Sequence, residues 1–126
     1  MPHVARLLVV EDDRRVGSFI ARGLRDEGFA VEWVVSGNEA LARATAGPFD
    51  LVVLDNMLPG QSGIEVAREL RARGQTMPIL MLTARDAPED QRAAFEAGAN
   101  ALIGKPFHFE ELLRQLRSML GVLLGA

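Results

Sequence analysis

The chain has no cysteine, no tyrosine, one tryptophan and one lysine among its 126 residues. Without thiols there is no disulfide framework and no thiolate metal centre, so any metal site must be built from harder donors. Histidine adds little to that option. His3 and His108 stand alone near element ends, lack a ligand companion at useful spacing, and read as surface residues. Long apolar runs are missing as well: the N-terminal run stops at Val10 before Glu11, Asp12 and Asp13, too short for a signal peptide or a membrane span. This points to a cytoplasmic protein with no membrane contact. Concentrated positive charge is also absent, because 14 basic residues oppose 17 acidic ones for a net charge of −3 and the arginines are spread along the chain. A nucleic-acid surface needs a basic stripe, so no direct nucleic-acid contact is expected and the arginines read as solubilising surface. Lys105 is the single exception to arginine among the basic residues.

What is present is an ordinary folding composition, 48% hydrophobic and 25% charged, in a length that supports one core and no second domain. Short apolar runs rich in branched residues occur at Arg6 to Val10, Ala30 to Val35, Leu51 to Leu54, Ile79 to Leu82 and Ala101 to Ile103. Segments of helical period lie between them. In the first, Val16, Phe19, Ile20, Gly23 and Leu24 share a face, and Asp13 is a candidate N-cap. The others run from about Gly37 to Thr45, Gly63 to Ala72, Ala87 to Ala97 and Phe109 to Leu120, with Gly28, Gly47, Gly74 and Gly98 placed as left-handed helix ends. Strands joined by single helices are parallel, and right-handed crossovers put helices on both faces. The expected fold is a doubly wound α/β sandwich, whose ligand site lies beyond the carboxyl ends of the strands.

Those ends carry Glu11, Asp12 and Asp13 after the first strand, Asp55 after the third, Thr83 after the fourth and Lys105 after the fifth. Neighbouring parallel strands are about 4.8 Å apart, so adjacency of the first and third brings Asp12 to Asp55. Two unit charges roughly 4 Å apart at an effective dielectric near 20 repel by about 4 kcal/mol, and a carboxylate cluster therefore calls for a cation. All-oxygen donors favour a hard divalent ion such as Mg²⁺. A carboxylate, a hydroxyl and an ammonium around such an ion suit acceptance of a phosphoryl group, with Asp55 as nucleophile and Thr83 and Lys105 contacting the phosphoryl oxygens.

The segments LLVVEDD, LVVLDNMLPGQSG, PILMLTA and LIGKPF, in this order across nearly the whole chain, resemble the receiver domains of two-component response regulators. The resemblance implies a flavodoxin-like (βα)₅ fold with five parallel strands in the order 2-1-3-4-5. It implies that Asp55 accepts phosphate from a histidine kinase or phosphotransfer protein. Mg²⁺ would be bound by Asp12, Asp55 and the Met57 carbonyl, and by Glu11 through water. Backbone amides of Met57 and Ala84 would contact the phosphoryl group, and the Lys105 to Pro106 bond would be cis.

Receivers commonly place Tyr or Phe three residues before the lysine as a partner of the switch threonine; here the switch pair is Thr83 and Leu102. Asn100, Ala101 and Gln115 replace residues that winged-helix regulators use in a homodimer through the fourth helix, fifth strand and fifth helix, so such a dimer needs a more apolar contact. Met57 and Arg85 occupy positions where the family tunes dephosphorylation. The expected protein is a phosphorylation-controlled switch that catalyses only its own phosphotransfer and dephosphorylation, controlling transcription if part of a longer regulator or acting alone through protein contacts. A Mg²⁺-dependent aspartyl-phosphate hydrolase would carry a second Asp where Met57 stands, and a flavin or nucleotide module would need a Gly-rich or hydroxyl-rich loop where Glu11 to Asp13 stand. Residues 1–121 read as the receiver, and the apolar residues 122–126 as a tail or the start of a linker. Trp33 reads as core or partly buried surface.

Overall fold

A computed structural model describes residues 3–84 and 86–124, the last three by backbone alone. Five branched apolar runs form the strands β1 (Arg6–Val10), β2 (Ala30–Val34), β3 (Leu51–Asp55), β4 (Ile79–Ala84) and β5 (Ala101–Lys105). They alternate with α1 (Arg14–Asp26), α2 (Gly37–Ala46), α3 (Gly63–Ala72), α4 (Pro88–Ala97) and α5 (Phe109–Leu124). All four strand pairings are parallel, and the order is β2-β1-β3-β4-β5. This is the expected doubly wound sheet.

Alternation along each strand feeds two separate cores. Leu8, Val10, Val52, Leu54, Ile79 and Met81 face the layer of α2, α3 and α4, while Leu7, Val9, Leu51, Val53, Leu80 and Leu82 face α1 and α5. The central runs are therefore apolar at every position rather than every second one. Each fully buried Leu, Ile or Val contributes roughly 1.5–3 kcal/mol of burial free energy.

Several local expectations hold and some do not. Asp13 caps α1 by accepting from the Arg15 and Val16 amides, and Ser36 and Ser62 cap α2 and α3 by accepting from Glu39 and Glu65. Gly28, Gly74 and Gly98 have positive φ, but Gly47 is extended at φ −159°. The reason is Pro48, whose ring drives the preceding residue into the extended region. In α1 the buried residues are Gly17, Ile20, Ala21 and Leu24, whereas Phe19 is 58% exposed and meets Phe109 edge-on at 5.8 Å. The apolar stripe is thus rotated from its expected line. α5 runs through Gly121 to Leu124, past the expected end at Leu120; glycine inside a helix costs about 1 kcal/mol, which weakens a helix without ending it. Residues 125 and 126 lie outside the described residues.

One arginine is not solubilising surface. Arg71, at the end of α3, donates to the carbonyls of Gln75, Met77 and Gly98 and to the Asn100 side chain. Asn100 in turn accepts from the Ile79 amide at 2.9 Å. Together they clasp α3, the end of α4 and the starts of β4 and β5.

Candidate functional site

β1 and β3 are direct neighbours, with Val10 opposite Leu54, so Glu11 and Asp55 follow side by side. Both are 2% exposed, and Asp12 is exposed at the mouth. One carboxylate oxygen from each of Glu11, Asp12 and Asp55 lies within 4.8 Å of the others. The strands further along contribute from the opposite side. Ala84 pairs with Lys105 in the β4 and β5 register, and Lys105 Nζ donates to Asp55 Oδ1 at 2.7 Å. The same Oδ1 accepts from the Met57 amide at 3.1 Å.

Thr83 is fully buried at the end of β4, with its hydroxyl 3.4 Å from the Ala84 carbonyl, which accepts from it. The hydroxyl is thus bonded along its own strand. Met57 is 67% exposed, and Leu58 behind it is buried. The loop is pinned by Asn56, whose amide donates to the Leu82 carbonyl, whose carbonyl accepts from Gly63 and whose side chain accepts from the Ile64 amide. Gly63 is pressed so closely onto β3 that a Cβ there would lie 2.4 Å from the Asp55 carbonyl oxygen.

Glu11 is pushed up to about 8, chiefly by burial, then by its hydrogen bond to Asp55 and the Asp55 charge, with the Asp13 amide and Lys105 opposing. Burial thus keeps the Glu11 carboxyl protonated at neutral pH beside the ionic Lys105 and Asp55 pair. Three hard oxygen ligands grouped this closely fit a small divalent cation such as Mg²⁺.

A family model for the response regulator receiver domain matches residues 7–117. The chain belongs to that family. Response regulator MprA of Mycolicibacterium vanbaalenii is 45% identical over 115 residues, which are 91% of this receiver chain and 50% of that protein. Transcriptional regulatory protein TcrA of Mycobacterium tuberculosis is 44% identical over 114 residues, 90% of this chain and 45% of its own. The chain spans about half the length of these curated relatives. Among solved structures, chemotaxis response regulator CheY4 of Vibrio cholerae superposes with a TM-score of 0.87 at 34% identity, covering 93% of this chain and 99% of that one. A CheY-like receiver domain protein of Methanospirillum hungatei gives 0.88 at 29% identity, with 94% of each chain covered.

In this receiver, Glu11, Asp12, Asp55, Met57, Thr83, Ala84 and Lys105 all gather at the carboxyl end of the sheet, and the Lys105 to Pro106 bond is cis. Leu102 is half-buried and packs against the core on the α4 side. Asn100 is occupied by the Arg71 clasp, which leaves its side chain turned to structure rather than to a partner. Arg85 lies outside the described residues. Two contributors were not legible beforehand: Asn56, whose loop-closing bonds need tertiary contact, and Trp33, whose indole N–H donates to the Glu11 carbonyl at 2.9 Å. A lone tryptophan on an edge strand was the available signal for the second.

Proposed function

We propose that this receiver accepts a phosphoryl group on Asp55 from the phosphohistidine of a histidine kinase or phosphotransfer protein. The observation that carries the reading is the pairing of a buried Asp55 with Lys105 at 2.7 Å beside two further carboxylates. An Asp55 oxygen forms the new bond to phosphorus as the bond to the histidine nitrogen breaks and the imidazole leaves. Lys105, the Thr83 hydroxyl and the Met57 and Ala84 amides would take the phosphoryl oxygens as charge develops. Mg²⁺ would be held by Asp12, Asp55 and the Met57 carbonyl, with Glu11 acting through water, and would neutralise carboxylate and phosphoryl oxygens together.

The switch follows from the hydroxyl. Thr83 exchanges its Ala84 carbonyl for a phosphoryl oxygen, and Leu102 and α4 repack against the space it leaves. A branched aliphatic side chain cannot copy an aromatic swing, so the change passes through packing and backbone shifts. A homodimer on the face of α4, β5 and α5 would rest on Phe95, 52% exposed, rather than on the clasped Asn100.

For the phosphodonor, the accessible approach is over α1. A hollow of about 560 Å³ lined by Arg15, Val16, Phe19, Lys105, Pro106 and Phe107 adjoins the site. Two of the relatives' names speak of regulation and transcription, which suits a cytoplasmic regulator whose output lies in a longer protein. The chain's chemistry stops at its own phosphotransfer and dephosphorylation, because exposed Met57 offers no acid for a hydrolase.

The test is incubation with Mg²⁺ and a small phosphodonor. Acid-labile phosphate should appear on the wild type and vanish in Asp55→Ala. Label that survives the substitution overturns the assignment.

A further inference from the structure

Trp33 lies on β2 opposite Val9 of β1, and its half-buried indole reaches across to α1. A Cβ at Gly17 would fall 2.3–2.4 Å from three of the indole atoms, so α1 carries a glycine, a poor helix former, at the point where the indole passes. The space cleared for it has a use. The indole N–H donates to the Glu11 carbonyl at 2.9 Å, while the Glu11 amide donates to the carbonyl of Val34, the next residue of β2, at 3.0 Å. Consecutive residues of β2 thereby grip the peptides on both sides of Glu11. The second of these peptides joins Glu11 to Asp12, and its orientation sets the directions in which the two carboxylates leave the backbone.

We propose that Trp33 is a positioning residue for the cation site: its N–H locks the Glu11 to Asp12 peptide, so that both carboxylates converge with Asp55. Trp33 touches neither cation nor phosphoryl group, and acts through this peptide. The proposal rests on the reading of the acidic cluster as a Mg²⁺ site. Partners that orient metal ligands from behind typically alter metal affinity by 10–100-fold when lost.

The experiment is calorimetric titration of the full chain with Mg²⁺ alone, alongside thermal melts without metal. Trp33→Phe keeps an aromatic ring and removes the donor, and should bind Mg²⁺ about tenfold more weakly. Trp33→Leu combined with Gly17→Ala fills the vacated space and restores helix propensity, so its melting temperature should return close to the wild-type value while Mg²⁺ affinity stays about tenfold down. The emission of Trp33, the sole tryptophan, should change along the wild-type titration. Wild-type affinity in Trp33→Phe, or affinity that recovers with stability in the double variant, overturns the positioning role and leaves the cation site standing. A wild type that takes up no Mg²⁺ overturns the cation reading itself, and this proposal with it.

Discussion

Glu11 makes the apo protein's stability fall as pH rises, and the size of the effect follows from its burial. Its carboxyl stands at about 8 in the fold against 4.5 unperturbed, so the folded state retains a proton that the unfolded chain releases. A raised folded value gives stability that is fully present below pH 4.5 and is lost as pH climbs through 8. The slope in that window is about 1.4 kcal/mol per pH unit, and the whole window amounts to roughly 5 kcal/mol. Against a typical domain stability on the order of 5–15 kcal/mol this is large. Glu32, whose carboxyl Arg43 holds low, acts in the opposite direction as pH falls and below this range.

The assay is urea denaturation in a chelator at half-unit steps from pH 5.5 to 8.5, for wild type and Glu11→Gln. The amide copies the protonated carboxyl and cannot titrate. It should lose much less stability across the range and exceed the wild type by about 4 kcal/mol at pH 8. Adding Mg²⁺ at pH 8 should recover much of the loss in the wild type and little in the variant, since bound cation replaces the proton. Parallel profiles for the two proteins in chelator would refute the reasoning.

Three further outcomes follow from geometry. Lys105→Ala should spare Mg²⁺ binding while slowing phosphorylation of Asp55 by about 100-fold, measured as the rate of label incorporation; an unchanged rate removes its charge-pairing role. Gly63→Ala forces a Cβ against backbone that cannot yield, so stability in urea melts should drop by about 1–3 kcal/mol and phosphorylation should slow with it. Arg71→Met leaves several carbonyls without their donor and should cost about 2–3 kcal/mol in urea melts, with Mg²⁺ affinity unaltered.

The fold was readable because every strand is a branched apolar run and every crossover is a single helix. Boundaries were less so: β3, β4 and β5 continue to Asp55, Ala84 and Lys105, since pairing rather than hydrophobicity holds those last polar residues in the sheet. The same fact made the cluster visible, as polar residues ending apolar runs. Phe19 misled because hydrophobic period cannot show that an indole from β2 rotates the buried face of α1 onto Gly17. Arg71 looked like any surface arginine, and only the closing of β4 and β5 around it turns the guanidinium inward.

The Arg71 clasp has a mechanical consequence for α4. The helix is tied down at its Gly98 end, whereas its other end begins at Ala87 with no side-chain cap. Ten residues make a rod of about 15 Å, so tilting it by about 10° about the tied end swings the free end through roughly 2.5 Å. The free end is the one that follows Thr83 and Ala84. On the switch proposed above, a Thr83 hydroxyl rotating by little more than a bond length would act on the long arm of a lever, with an arginine as its pivot.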